Sequence, residues 1–278
     1  MTLYQLHQRL PLDHPVLVVA MEGWIDAGFG ASTAIATLLT SVTTEPVATF
    51  DVDTLLDHRA RRPVVRIVDG VNTGLRWPEI ELRGGHDAEG HDLLLLVGPE
   101  PDHQWRAFTA AVGELAISFS VRLVVGLGAF PAPVPHTRPA RLASTATTAE
   151  LASEVGFIPG ALDVPAGVQA ALERRFAELA IPAVGLWARV PHYAAAMPYP
   201  EASAVLLEGL TSTAGIAVDT AELRRAAETS RAHLDELIAN SEEHVALVRQ
   251  LEAQVDADMP SGDELVAEVE RFLRGEST

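Results

Sequence analysis

Four apolar runs of strand length recur along the chain, and each leads into glycine or proline and then polar residues. They are VLVVAMEG, HDLLLLVGPEP, VRLVVGLGAFP and AVGLWARVPHY, which begin at Val16, His91, Val121 and Ala183. Runs that are apolar on both faces are typical of strands covered by helices on two sides. Helix-like stretches separate them, and this alternation predicts an α/β fold, with a mostly parallel sheet sandwiched between helices.

The composition excludes several classes of chemistry. All 20 basic residues are arginine and the chain has no cysteine. No lysine can therefore hold a nucleotide phosphate or form a Schiff base, and no thiolate can bind a metal or attack a substrate. The formal net charge of −18 disfavours nucleic acid as a partner. We predict no cofactor, and we interpret the GGHDAEGHD stretch as a solvated loop rather than a metal site.

The sequence also bears on location. It contains no apolar stretch of the roughly 18 residues that a membrane-spanning helix needs. The opening residues, MTLYQLHQRLPLDHP, lack the basic and apolar regions of a signal peptide. We therefore predict a cytoplasmic protein with no membrane partner.

From Asp219 onward the sequence predicts helices alone. Asp219 and Glu222 have the spacing of a capping box, and an apolar seam then steps by fours and threes as far as Val255, which predicts a single helix over this length. A Met-Pro-Ser-Gly break and a short final helix follow. This tail holds 15 acidic and 6 arginine residues, a net charge of −9. We predict an acidic helical lid or arm (residues 216–278) on an α/β core domain (residues 1–215).

Polar residues cluster where the predicted strands end, and ligands of open parallel sheets bind at this edge. The first run leads into a glycine-rich turn before a helix, whose free amides can receive an anion. The candidate residues are Gly23, Trp24, Asp26 and Gly28 after the first run, Glu100 and Trp105 after the second, His136, Thr137 and Arg138 after the third, and His192 and Tyr193 after the fourth.

Two Val-Pro-His motifs fix the backbone beside two of these histidines. Because histidine titrates near neutrality, His136 and His192 are candidate acid and base, while Arg138 can grip a carboxylate or phosphate with two parallel hydrogen bonds. Glu100 and Asp26 are candidates to orient a histidine or to activate water. The two tryptophans are predicted to wall the pocket, and the remaining residues of the set to contact the ligand.

A structural role for the same residues is the alternative. A buried histidine can simply bond to a backbone carbonyl, prolines are ordinary after strands, and Arg138 can form an internal ion pair with Glu100. Each residue taken singly fits such a role. Their recurrence at several strand ends favours a site.

Several stretches, taken in order, resemble the proteasome assembly chaperone family in its bacterial and archaeal form, the group named after the second such chaperone subunit. They are GWIDAG, the RRP before a strand, GPEPDHQWRAF, PHTRP, LWARVPHY and the closing SGDELVAEVERFL. The match covers nearly the whole chain. The arginine-only, alanine-rich composition is also similar to that of actinobacterial proteins.

The resemblance implies a core like that of purine nucleoside phosphorylases, a hairpin insertion used in oligomer contacts and a helical lid over a ligand site. We place the insertion at about residues 52–90. A homotrimer is implied for the actinobacterial branch, and proteasome subunits are implied as partners. Family members that dock on the proteasome ring tend to end in a hydrophobic-Tyr-any tripeptide. This sequence instead reads Arg274-Gly275-Glu276-Ser277-Thr278, so we expect no docking by that route.

Two functions follow from these observations. The first is a homo-oligomer that binds a small anionic or nucleoside-like ligand at the strand ends, with hydrolysis or phosphorolysis as its chemistry. The second is a non-enzymatic assembly chaperone or protein-interaction module related to the proteasome. In that case the strand-end motifs are structural, and the oligomer face and the acidic arm carry the function. The sequence leaves both open.

Overall fold

In the computed structural model, which describes residues 3–23 and 25–257, eight strands form one sheet. The strands of this part of the chain are β1 (Tyr4–Leu6), β2 (Val16–Glu22), β3 (Thr43–Phe50), β4 (Val64–Val68), β5 (Val71–Arg76), β6 (Glu81–His86), β7 (Asp92–Pro99), β8 (Leu123–Ala132), β9 (Leu142–Ala146) and β10 (Ala183–Pro191). The order in the sheet is β1-β3-β6-β7-β2-β8-β10-β9, and β4 pairs with β5 in a separate hairpin.

The four apolar runs of the sequence form the parallel centre of the sheet, β7-β2-β8-β10. β6, β3 and β1 extend it antiparallel on one side, and β9 does so on the other. Because β3 reverses direction relative to β6, five of the eight strands run the same way. The predicted α/β fold with a mostly parallel sheet is confirmed, and burial on both faces explains why the central strands carry no polar alternation.

Helices cover both faces of this sheet. They are α1 (Gly30–Ser41), α2 (Val52–Leu55), α3 (Trp105–Ser118), α4 (Ala149–Val155), α5 (Val168–Glu178), α6 (Pro200–Ala214), α7 (Ala221–Ala239) and α8 (Glu242–Ala257). α1, α6 and α7 share one apolar cluster, which includes Ala34, Leu206 and Leu234. α3 and α5 share the cluster on the opposite face, which includes Phe108 and Phe176. None of the helices in the described ranges is both long and apolar enough to cross a membrane.

The β4–β5 hairpin stands apart from the sheet, and every residue of its two strands is exposed. Asp69 and Gly70 at its turn have positive φ values of 49° and 81°, which are typical of the turns that suit a two-residue hairpin. The insertion predicted at about residues 52–90 contains this hairpin together with α2 and β6, and β6 belongs to the main sheet. The division of the chain into two domains stays a prediction.

In the described part of the C-terminal arm the chain forms two helices, α7 and α8, so the prediction of a single helix to Val255 was wrong. In one continuous helix Asp235 and Glu252 would be about 26 Å apart, at 1.5 Å per residue, yet both contact the loop after β8. The chain therefore reverses between α7 and α8, where the Ser241 hydroxyl accepts a hydrogen bond from the His244 amide at 3.4 Å. The short final helix predicted at the end of the arm lies outside the described residues. The predicted seam nevertheless supplies the buried side chains Leu223, Ala227, Leu234, Val248 and Leu251.

Gly28 joins the turn after β2 to the segment after β10. Its amide donates to the Ala195 carbonyl at 2.8 Å, and its carbonyl accepts from the Tyr199 amide at 2.9 Å. Its φ is +64°, and a Cβ at this position would lie 2.6 Å from the Cβ of Tyr199. Two constraints, a left-handed backbone and a close approach, thus require glycine here.

We expect Gly28→Ala to lower the free energy of unfolding by about 2–4 kcal/mol, because backbone strain and steric overlap add. Gly215→Ala is the matched control, since Gly215 has a φ of +74° and, apart from its chain neighbours, no described residue has an atom within 4 Å of the added Cβ. It should lose only about 1 kcal/mol. Urea unfolding followed by circular dichroism measures both values, and equal losses would contradict the steric argument.

Candidate functional site

His136, in the loop after β8, bonds to two other elements at once. Its side chain is 1% exposed. Its Nδ1 lies 2.8 Å from the hydroxyl oxygen of Tyr193, which follows β10, and its Nε2 lies 3.0 Å from Oδ1 of Asp235 in α7. Because a carboxylate only accepts hydrogen bonds, Nε2 of a neutral His136 donates to Asp235, and Nδ1 accepts from the Tyr193 hydroxyl. The backbone amide of His136 donates to the same hydroxyl at 2.9 Å.

Arg138 and Thr137, in the same loop, bond to α8. Arg138 makes two parallel hydrogen bonds to Asp256, Nε to Oδ1 at 2.9 Å and Nη2 to Oδ2 at 2.7 Å, and its Nη1 donates to Oε1 of Glu252 at 3.1 Å. Thr137 Oγ1 donates to the same Glu252 oxygen at 2.5 Å. The hydrogen bonds between Arg138 and Asp256 raise the pKa of the guanidinium and lower the pKa of the carboxyl. Both groups therefore stay charged at neutral pH.

Further contacts fix α7 near its start and at its middle. Arg231 Nη2 donates to the carbonyl of Thr137 at 3.0 Å. Near the start of α7, Arg224 donates through Nη1 to Glu201 at 2.7 Å and through Nε to Glu208 at 2.8 Å, both in α6. The hydrogen bonds from Arg224 hold the pKa of Glu208 below its usual range. We call the contacts of the loop residues His136, Thr137 and Arg138 with Asp235, Glu252 and Asp256 the strand-end clamp.

The turn after β2 caps α1. Asp26 accepts hydrogen bonds from the backbone amides of Ala31 at 2.7 Å and Ser32 at 3.0 Å. These are free amides of the kind expected to receive an anion, and here the carboxylate of the chain itself occupies them. Gly28 packs against Tyr199, as described above. Trp24 lies outside the described residues.

Glu100 caps a different helix. Its Oε2 accepts from the backbone amide of Val168, the first residue of α5, at 2.7 Å. Gly23 lies beside it, since a Cβ at Gly23 would be 3.2 Å from that oxygen, and Trp105 Nε1 donates to the Pro101 carbonyl at 2.5 Å. Glu100 and Trp105 therefore lie beside α5 and α3. No hydrogen bond or ion pair within residues 3–23 and 25–257 joins Glu100 to the strand-end clamp.

His192 and Tyr193 follow β10 directly. His192 is exposed, and its ring meets the Tyr193 ring edge-on, with centroids 5.4 Å apart. His136 meets the same tyrosine ring from another side at 5.8 Å. Burial raises the pKa of the Tyr193 hydroxyl, so it stays protonated at neutral pH. The structure thus brings His136, Thr137, Arg138, His192 and Tyr193 together at the ends of the neighbouring parallel strands β8 and β10.

The clamp decides what this arrangement can do. While α7 and α8 are in place, both ring nitrogens of His136 are engaged and the guanidinium of Arg138 makes three hydrogen bonds. The ring of His136 then has no free nitrogen, and three of the five N–H donors of Arg138 are taken by α8. Arg138 has the internal ion pair that the structural alternative foresaw, although its partners lie on α8 and Glu100 is not one of them. The role of each candidate residue in function stays a prediction.

Sequence reasoning missed the acidic half of the clamp. Glu252 and Asp256 are four residues apart in α8, a spacing that places two side chains on the same helix face. In a tail with a net charge of −9, that spacing was the available sign that two carboxylates could bind one cation. It did not show that the cation on the other side would be Arg138, because more than a hundred residues separate the partners in sequence.

The histidine-rich loop before β7 is closed by internal pairs. His86 Nδ1 lies 2.6 Å from Asp92 Oδ1, and His91 Nδ1 lies 2.8 Å from Asp87 Oδ2. Asp87 also accepts from the backbone amide of Ala217 at 2.7 Å. Burial alone would raise the pKa of Asp87, but hydrogen bonds from Ala217 and His91 lower it further than burial raises it. Within the described residues, no group of three or more His, Cys, Asp or Glu is placed to hold a metal ion.

Comparison with known proteins places this geometry in a family. The sequence model of the PAC2 family matches residues 20–238. Among solved structures, a Corynebacterium glutamicum protein of unknown function has 30% identity and a TM-score of 0.87, over 93% of this chain and 98% of that chain. A Mycobacterium tuberculosis proteasome-assembly chaperone homologue has 34% identity and a TM-score of 0.78, over 84% of this chain and 99% of that chain.

More distant similarity extends to archaea. A Pyrococcus furiosus archaeal proteasome activator has 14% identity and a TM-score of 0.66, over 85% of this chain and 99% of that chain. At that identity the likeness shows the fold alone. No protein with a curated description matches the chain.

We expect Arg138→Ala to release α8 from the core. Amide hydrogen exchange in residues 242–257 should accelerate about tenfold or more, because charge-assisted hydrogen bonds that hold the helix are lost. Arg138→Lys should fall between this variant and the wild type, since lysine keeps the charge but cannot make two parallel bonds. Arg249→Ala, at an exposed position of α8, is the control and should leave exchange unchanged. Wild-type exchange rates in Arg138→Ala would show that the clamp does not hold the arm.

Proposed function

This chain belongs to the PAC2 family, and from that premise we propose that it is a non-enzymatic protein-binding module of the proteasome-assembly-chaperone type that acts as a homo-oligomer. One observation carries the proposal: three of the four candidate catalytic side chains, Asp26, Glu100 and His136, hold helices in place, while His192 is exposed. Asp26 and Glu100 cap α1 and α5, and His136 and Arg138 secure the arm. A scaffold that uses its reactive groups internally is suited to presenting surfaces to other proteins.

The β4–β5 hairpin supports the homo-oligomer. A two-stranded hairpin is at best marginally stable alone in water, and exposed apolar clusters mark interaction surfaces. Its unpaired strand edges can also bond to another chain. We propose that this hairpin contacts another copy and that the assembly is a homotrimer. The apolar side chains that the hairpin exposes are Val64, Val65, Ile67, Val68, Val71 and Leu75.

Proteasome subunits are the proposed partners. The M. tuberculosis structure is named a proteasome-assembly chaperone homologue and the P. furiosus structure a proteasome activator. The oligomer face and the acidic arm are the surfaces that we propose for partner capture. We place the protein in the cytoplasm, where such subunits assemble.

A second candidate function is a small-molecule site that opens when the arm lifts. Release of α7 and α8 would free His136, Thr137 and Arg138 together, beside His192 and Tyr193. Arg138 would then bind the anionic group of a small or nucleoside-like ligand, and the two histidines would serve as acid and base for hydrolysis or phosphorolysis. This function ranks second because the same groups are engaged when the arm is docked.

We expect Ile67→Asp to break the homo-oligomer, because a carboxylate would have to be desolvated in the contact between copies. Leu162→Asp is the control: its side chain is 64% exposed, against 62% for Ile67, and it lies outside the hairpin. Light scattering coupled to size exclusion gives the mass of each, and circular dichroism checks folding. A wild-type chain that is monomeric, or an Ile67→Asp variant of wild-type mass, would contradict the hairpin contact.

Co-expression with the proteasome α and β subunits of the same organism, followed by native mass spectrometry, tests the function itself. We expect the wild-type oligomer to carry those subunits, and Ile67→Asp to lose them along with the oligomer. An oligomer without subunits, carrying instead a small molecule that disappears in Arg138→Ala, would overturn this proposal in favour of the second candidate.

A further inference from the structure

A groove of about 620 Å³ lies between α3 and α5, on the sheet face opposite α6 and α7. Its lining includes Trp105, Arg106, Arg174 and Arg175, and among the described residues Glu178 is the one acidic residue there. Three of the chain's 20 arginines thus meet in one groove, on a protein with a formal net charge of −18. The groove is a local cationic surface that the proposed function does not use.

The arginines of this groove are only partly neutralised. Glu178 is shared, with Arg175 Nη1 at 3.3 Å and Arg174 Nε at 3.6 Å. Arg106 forms no ion pair with any of the described residues. The Nε of Arg175 is buried and has no hydrogen-bond partner among the residues that the structure describes. The three arginines therefore carry more N–H donors than Glu178 can accept from, and their accessible N–H groups can donate to a carboxylate supplied from outside.

The groove also has apolar walls. Trp105 is half-buried at one end, and Ala110 and Ala171 line the surface between the arginines. A partner that fits both features carries carboxylates around an exposed apolar side chain. Isolated anions would satisfy the arginines but would leave the tryptophan uncovered.

The turn between α7 and α8 has this chemistry. We call residues 236–243 the arm tip. Glu236, Glu242 and Glu243 are exposed there and form no ion pair within the described part of the chain, and the side chain of Leu237 is 47% exposed beside them. The arm tip thus offers three carboxylates and an exposed leucine, and the groove offers three arginines and a half-buried tryptophan.

The geometry points to a second copy as the occupant, and we propose that the arm tip of one copy docks in the α3–α5 groove of the next. A chain cannot fill its own groove while its arm is docked, because α7 packs in the cluster with α1 and α6, and the strand-end clamp holds α8. Each chain offers one groove and one tip, so the contact is head-to-tail and closes into a ring if the rotation permits. This inference rests on the homo-oligomer of the proposed function.

Charge reversal tests the contact. Arg106→Glu combined with Arg174→Glu should raise the dissociation constant of the assembly about tenfold or more, because like charges would then face each other. Glu242→Arg combined with Glu243→Arg should do the same, and a chain that carries all four changes should recover assembly. Arg59→Glu combined with Arg225→Glu makes the same change in net charge at exposed positions elsewhere and should leave the constant unchanged. Mass photometry across a dilution series measures each variant.

Cross-linking gives a second measurement that does not depend on any loss of assembly. The chain has no cysteine, so an Arg106→Cys protein mixed with a Glu243→Cys protein should form a hetero-crosslink with a short bis-maleimide. A mixture of Arg59→Cys and Glu243→Cys should not. The inference is overturned if the two mixtures cross-link equally. It is also overturned if the Arg106→Glu and Arg174→Glu changes leave self-assembly intact, even where those changes abolish binding of an acidic segment from another protein.

The two proposals fail separately. If Ile67→Asp dissociates the oligomer while groove reversal does not, the hairpin contact stands and the docking of the arm tip is wrong. If groove reversal dissociates it while Ile67→Asp does not, the arm-tip contact stands and the hairpin contact is wrong.

Discussion

The arrangement of the arm depends on the charge-assisted pairing of Arg138 with Asp256 and Glu252. The planar guanidinium of Arg138 bonds to two carboxylates of α8, and Nε2 of the neighbouring His136 bonds to the Asp235 carboxylate of α7. Because Arg138 and His136 lie two residues apart in a loop that prolines stiffen, a short stretch of backbone positions both helices. The hairpin reversal between α7 and α8 brings residues seventeen positions apart to the same loop, which a straight helix could not do.

The need to bond the helices to the strand-end loops also explains the carboxylates at the other strand ends. A helix that starts beside a sheet edge leaves amides without partners, and Asp26 and Glu100 meet that need for α1 and α5. Ligand sites of open sheets exploit those same amides for anions. In this chain a side-chain carboxylate supplies the anion at both places, so the features that indicate a ligand site in the sequence are satisfied within the fold.

The central sheet was predictable because burial on both faces acts on each strand locally: four runs without polar alternation became the four central strands. The reversal between α7 and α8 was not predictable, because an apolar seam that steps by threes and fours continues equally well through a hairpin of two helices. Tyr193, His136 and Arg138 were found from their place after strands, whereas Asp235, Glu252 and Asp256 were not, since long-range pairing leaves no local pattern. The β4–β5 hairpin was expected only through the family resemblance, because the alternation of an edge strand and that of a free hairpin look alike in sequence.

The charge of the arm separates into two sides with different partners. On the inner side, Asp235 and Asp256 meet cationic or donor groups of the strand-end loop. On the outer side, Glu242 and Glu243 lie in the first turn of α8, where the helix dipole favours negative charge. Glu236 lies in the last turn of α7, where the dipole disfavours a carboxylate, and none of the described residues pairs with it. The physics of its own helix does not account for this residue, and a cationic groove on a neighbouring copy would.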